Sequence, residues 1–296
     1  MSRRLRRATG AALALGLCLG HAYAAPRLTI DNFVDVGDSV SELLDTSGLA
    51  FSTMMMGSAA MLPSHRNASF SAPRAPVVLA RPQKFKSPCP GGGEVMIDVL
   101  DTDAGGDLSV GDRFKIDFKS CVVEGDTVSG HSEFVVAAHR FEGMTEITEL
   151  DFHFDALGST HVQWTGAARA ALRSDLRRGT ESYVVTYRDL AVIRGSHAMR
   201  WSFSVDMVRP PIGNQLASVK GAMTVDGLPL RLRQDEPFVI GVDGHPQSGQ
   251  VTASDKHGAR LQIEALRRRY AYRLFRVSND REVADAASES KPYGSR

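Results

Sequence analysis

No His-Glu-x-x-His, Cys-x-x-Cys, phosphate loop or dinucleotide fingerprint occurs anywhere in this sequence, so metal, redox and nucleotide chemistries that depend on those spacings find no local foothold. Cysteine is scarce, with three in 296 residues, which excludes a disulfide-dense scaffold. Long apolar runs are missing after residue 25, so no later segment approaches the roughly 20 residues that cross a bilayer as a helix. Aromatic residues make up only 7 %, too few for the paired girdles of an outer-membrane barrel. Charge of one sign is missing too, the 35 basic and 34 acidic residues leaving a net +1.

What is present starts with an export pattern. Arg3, Arg4, Arg6 and Arg7 precede an apolar run over residues 8–20, and Ala22-Tyr23-Ala24 stands before Ala25, so residues 1–24 read as a secretory signal cleaved after Ala24. Leu17 ahead of Cys18 argues against lipidation, and Arg6 and Arg7 against a twin-arginine route. Losing those four arginines and no acid takes 35 basic and 34 acidic residues to 31 and 34, a net of −3. Nucleic-acid affinity rests on neutralising many phosphates, so no nucleic-acid partner is expected. The basic runs Arg177-Arg178 and Arg267-Arg268-Arg269 read as a solvated rim or strand end, with an anionic-ligand patch as the alternative. The expected location is periplasmic or secreted, with no transmembrane segment in the mature chain.

Cys18 departs with the signal and leaves Cys89 and Cys121, an even count with one possible pairing in an oxidising compartment. Closing a loop of about 32 residues stabilises a fold by roughly 3 to 4 kcal/mol on the chain-entropy model.

Residues 25–88 differ from the rest. Pro63, Pro73, Pro76, Pro82 and Pro88 recur at short intervals, which predicts an extended, partly disordered segment, with a short helix over residues 39–49 placing Val40, Leu43 and Leu44 on one face. Met54-Met55-Met56 reads as an apolar docking segment, because three adjacent thioethers cannot face one soft metal ion from a regular element. From residue 89 to 280 the period becomes two. Phe114, Ile116 and Phe118 alternate with Lys115, Asp117 and Lys119, and the pattern recurs at Trp201, Phe203, Val205 and Met207, at Leu228, Leu230 and Leu232, at Leu261, Ile263 and Ala265, and at Tyr270, Tyr272 and Leu274. Asp226-Gly227 and His257-Gly258 mark turns, while residues 166–178 balance helix against strand. The expectation is a mainly β, antiparallel fold of about eleven or twelve strands, a curved sheet of half-barrel or barrel-like form with one disulfide. Residues 281–296 read as a polar flexible tail.

Cys89-Pro-Gly-Gly-Gly93, the turn ending in Gly111-Asp112, Cys121, the stretch from Gly125 to Gly130, and His245-Pro-Gln-Ser-Gly-Gln250 leading through Thr252 to Gly258 together resemble a family of uncharacterised secreted, β-rich proteins of Gram-negative bacteria. That resemblance covers residues 89–266 and implies a β fold and a periplasmic location. The acidic turn also resembles the calcium loops of EF-hand and dockerin modules. Asp101, Asp103, Asp107 and Ser109 fall at the first, third, seventh and ninth places, Gly106 at the sharp turn, and Asp112 at the close. Calcium is therefore a possible cofactor, bound at the weak affinities of about 0.1 to 1 mM of extracellular modules. Gly105 and the short Asp112 depart from the pattern, and the alternative is a hairpin turn rich in Asp and Gly for conformational reasons.

Catalytic candidates are thin. Gly130-His131-Ser132-Glu133-Phe134 opens like a nucleophile elbow but lacks its final glycine. His131, His139, His153 and His161 are spaced for no zinc motif. No catalytic residue is assigned. The leading expectation is an exported non-enzymatic envelope protein that binds a small ligand, a glycan or an envelope protein on a curved sheet. A secreted hydrolase using carboxylates or His153 with a metal, and a structural module with a calcium-stapled hairpin, are the alternatives.

Overall fold

The computed structural model describes residues 26–41, 82–89, 91–103, 108–123, 126–159, 161–241, 245–267, 269–278 and 281–289. The expected signal, the methionine run at 54–56, Asp107 and residues 42–49 of the expected helix lie outside them.

Fourteen strands follow one another in chain order: β1 Pro82–Pro88, β2 Glu94–Leu100, β3 Arg113–Val123, β4 Asp126–Glu142, β5 Thr145–Gly158, β6 Val162–Asp175, β7 Thr180–Arg194, β8 His197–Arg209, β9 Gln215–Val225, β10 Leu228–Ile240, β11 Pro246–Ser254, β12 Arg260–Leu266, β13 Arg269–Ser278 and β14 Arg281–Glu289. Each pairs antiparallel with its sequence neighbours, and β1 and β14 pair only with β2 and β13, so the sheet is an open meander. The expected antiparallel β class and disulfide are present, while the strand number is higher than the sequence reading gave. Residues 166–178, balanced between helix and strand, fall largely in β6.

Two boundaries need correction. The sheet begins inside the proline-rich segment, because an edge strand tolerates proline where it has no neighbour to receive its N–H. It also continues into the expected tail as β14, whose small residues, Ala284 to Ala287, give a weak apolar signal. Lys84 and Lys86 on the β1 edge pair with Asp98 at 3.1 Å and Glu94 at 2.5 Å, and charges flanked by prolines discourage further strand addition.

Alternation buries one face. Trp201, Phe203, Val205 and Met207 are buried, as are Leu228, Leu230 and Leu232, and Leu261, Ile263 and Ala265, and they join a single core. Among the described residues no second sheet covers it, so a fourteen-stranded sheet buries that face by curling around itself. Bulges repeat along β3, β5 and β7 to bend it. Ser120, Ala156 and Asp189 each have positive φ, and each donates its N–H to a hydroxyl on the next strand: Ser129 at 3.3 Å, Thr165 at 3.2 Å and Ser202 at 3.2 Å. Each extra residue shifts the register, as between Phe154↔Gly166 and Leu157↔Trp164. Opposite the second bulge lies Gly130, at φ 109, where any Cβ would overlap the carbonyl of Ala156.

The inner face is finished from the other end of the chain. A helix, α1, covers residues 33–41 of the described chain, with Phe33, Val36 and Val40 forming the apolar stripe that meets the sheet; it overlaps the expected helix at residues 39–41, and the remainder of that expectation lies outside the described residues. Gly37 lies against the Tyr272 ring, where a Cβ would come within 2.9 Å. Tyr272 donates its hydroxyl to Asp38 at 2.8 Å and shares a 3.0 Å hydrogen bond with Ser41, and Leu28 donates its N–H to Asp255 at 3.1 Å.

Two buried tyrosines thus differ. Tyr272 bonds to Asp38 and Ser41, whereas among the described residues the Tyr187 hydroxyl has no hydrogen-bond partner, and burial pushes its pKa well above the usual phenol range. Tyr272→Phe is expected to lower stability by about 1 to 3 kcal/mol, as it strips partners from buried acceptors, while Tyr187→Phe stays within about 0.5 kcal/mol of the parent or gains. Urea titration of the two variants decides; equal losses would refute the assignment.

Candidate functional site

Because the inner face is filled, the place for a ligand is sought on the solvent face. A cleft of about 420 Å³ opens there across β7 to β11 and the turn after β11. Register explains it. On β8, β9 and β10 the outward row Arg200, Thr224, Pro229 runs beside the row Ser202, Ala222, Arg231, which continues to Ser254 on β11. Ser202, Ala222 and Thr224 are small and form a floor between the long side chains of Arg200 and Arg231. Lys256 closes one end from the turn, and Pro229 adds a flat apolar edge.

The bulge in β7 supplies one wall. Asp189, at φ 53, turns its carboxylate onto Arg200 at 2.6 Å while its N–H is held by Ser202. Asp255, in the opposite wall, is buried and accepts hydrogen bonds from the backbone of His257 at 2.8 Å, Ala259 at 3.0 Å and Leu28 at 3.1 Å. Its charge is therefore satisfied by backbone dipoles rather than by a neighbouring cation. Among the described residues neither Arg231 nor Lys256 has an ion-pair partner. The lining thus holds three cations and two carboxylates, Arg200 being paired with Asp189 and Asp255 being held by backbone N–H groups, with the Ser202 and Thr224 hydroxyls beside them.

The sequence-derived candidates fall elsewhere. Cys89 and Cys121 form the expected disulfide, with a Cα–Cα distance of 5.4 Å, and pin the turn before β2 to β3. In the acidic loop, Asp112 is 2 % exposed, and both its oxygens are occupied: one accepts from the Thr102 N–H at 2.8 Å and hydroxyl at 2.7 Å, the other from the Ser109 N–H at 2.7 Å. Asp101 accepts the Asp103 N–H at 3.2 Å, and the Ser109 hydroxyl donates to Asp103 at 2.5 Å. These contacts close the loop as a polar turn, which docks on β4 through Gly111 N–H to Val136 at 2.9 Å. Asp101, Asp103 and Ser109 remain the described oxygen donors that a cation could recruit, and Asp107 lies outside the described residues. Among the described residues no group of three or more His, Cys, Asp and Glu side chains is gathered to hold a metal ion.

His139 presses Nδ1 to the Leu108 carbonyl at 2.5 Å and Nε2 to Glu146 at 3.1 Å, bracing the loop from below. Ser132 is buried and His131 half-buried on opposite faces of β4, where His131 meets Asp117 at 2.8 Å, so the elbow-like stretch does not form a nucleophile–base pair. His153 is exposed and sits opposite Glu133. Sequence reasoning missed the cleft entirely, since its floor and rims come from separate strands that only the register brings side by side.

No family model, curated protein or solved structure matches the chain.

Proposed function

We propose that this chain is an exported, non-enzymatic binding protein of the cell envelope that takes a small acidic saccharide in the cleft between Arg200 and Arg231. The export pattern at residues 1–25 and the Cys89–Cys121 disulfide support the compartment. One observation carries the ligand class. A small-residue floor lies between Arg231 and Lys256, which have no ion-pair partner among the described residues, and the Arg200–Asp189 pair. A carboxylate fits the cationic rim, sugar hydroxyls match Ser202 and Thr224, and the C–H face of a ring lies on Ala222 and Pro229. The volume lies within the range of about 300 to 1,000 Å³ usual for small-ligand sites.

Calorimetric titration with glucuronate and with glucose tests the reading. Glucuronate should bind and glucose should not, and Arg231→Gln should weaken glucuronate by about tenfold, the loss of one charge-assisted hydrogen bond. Equal behaviour of the two sugars, or an Arg231→Gln variant that binds like the parent, rules the proposal out.

A further inference from the structure

In a meander the hairpin turns alternate between two ends of the sheet, and here the two ends differ in chemistry. At the end holding the turns β4–β5, β6–β7 and β8–β9, the tips carry Met144, Leu176 and Ile212, with Phe141 one residue inside. Ile212 is 90 % exposed, the most open large apolar side chain described. Val208 and Leu216, directly paired on β8 and β9, continue the apolar surface just behind the tips. These six make up more than half of the eleven exposed large apolar side chains among the described residues. The opposite tips, Gly195-Ser196, Asp226-Gly227 and Lys256-His257-Gly258, have no large apolar residue, although exposed Ile193 stands one residue inside β7 there.

The tips touch one another. Leu176 donates its N–H to the Met144 carbonyl at 3.0 Å, and Gly179 lies beside Pro211, so the three turns form one continuous rim. Cations flank it. Arg173 and Arg177 are exposed and have no ion-pair partner among the described residues, and Arg178 and Arg209 keep only loose pairs, to Asp175 at 3.8 Å and to Glu181 at 3.7 Å.

We infer that this rim docks on an anionic lipid surface, with Leu176 and Ile212 entering the acyl boundary and the flanking arginines meeting phosphate headgroups. Exposed apolar side chains in a contiguous patch mark interaction sites. Protruding apolar tips flanked by cations suit shallow insertion into a headgroup layer. Unpaired arginines at the same level supply the complementary charge. The inference stands independently of the cleft.

The experiment uses the full chain carrying Ile212→Trp or Ser196→Trp, mixed with phosphatidylglycerol or phosphatidylcholine vesicles whose acyl chains are brominated. Native Trp164 and Trp201 are buried, so new quenching reports the introduced ring. Bromine should quench the Ile212→Trp emission on phosphatidylglycerol and leave Ser196→Trp unchanged. Adding Arg177→Gln and Arg178→Gln should weaken binding by at least about tenfold, at roughly fivefold per cation near the surface. Three outcomes overturn the inference: no quenching at 212, equal quenching at 212 and 196, or a concentration-dependent dimer abolished by Ile212→Ser in a protein that leaves vesicles unbound.

Discussion

A Gly130→Ala variant is expected to unfold at a far lower urea concentration than its parent, losing about 3 to 5 kcal/mol from backbone strain and displacement of a neighbouring strand together. Gly130 sits at φ 109 in β4 with the Ala156 carbonyl of the β5 bulge directly over it. A methyl group has nowhere to go. Moving the carbonyl would disturb Ala156, whose N–H is fixed to Thr165, and so would propagate into β6. Gly143 provides the control. It too has positive φ, 65, but stands in a turn with nothing within 4 Å of an added Cβ. Gly143→Ala should therefore lose only about 1 to 2 kcal/mol, the backbone penalty alone. If the two variants unfold together, the bulge line does not shape the sheet as described.

The second large effect follows from the disulfide. Side chains of β1 from Gln83 to Pro88 are all exposed and those of β2 are only half-buried, so apolar packing holds this hairpin weakly. Besides the β2–β3 ladder, what ties it down is the Cys89–Cys121 bond and four backbone hydrogen bonds around it: Cys89 to Gly93, Gly91 to Val122 and Gly92 to Cys89, each at 3.1 Å, and Val122 to Gly92 at 2.9 Å. Replacing both cysteines by serine should lower stability by roughly 3 to 4 kcal/mol, as expected for a closed loop of this length. The hairpin should be the first region to gain protease sensitivity. A variant with the parent's midpoint under non-reducing conditions would show that the bond adds nothing to the fold.

Much of the architecture could be read from side-chain periodicity, for a plain reason. A sheet with one dry face forces every second residue to be apolar, and Trp201 to Met207 or Leu261 to Ala265 have no other explanation at that spacing. The signal fades at the edges. Pro82 and Pro88 argued against a strand that the sheet edge permits, and β14 has little apolar bulk to declare itself. The stripe of Phe33, Val36 and Val40, at spacings of three and four, was readable in the sequence and extends the helix to the amino-terminal side of the expected start. Ser129-Gly130 and Thr165-Gly166 were a readable hint of the bulges, each joining a hydroxyl to a glycine inside an alternating run. The disulfide followed from cysteine arithmetic alone. The cleft was not legible, since the Arg200–Thr224–Pro229 and Ser202–Ala222–Arg231 rows exist only once strand register is fixed. In the acidic loop, spacing alone did not show that Asp112 accepts the backbone N–H groups of Thr102 and Ser109.

Leu28, Asp38 and Ser41 bind Asp255 and Tyr272, partners 227 to 234 positions further along. A polypeptide threaded outward from its amino terminus must wait for nearly its whole length to emerge before these early residues meet their mates. Until then the growing sheet keeps a greasy trough uncovered, and the last hairpins to arrive act as the clasp that shuts it.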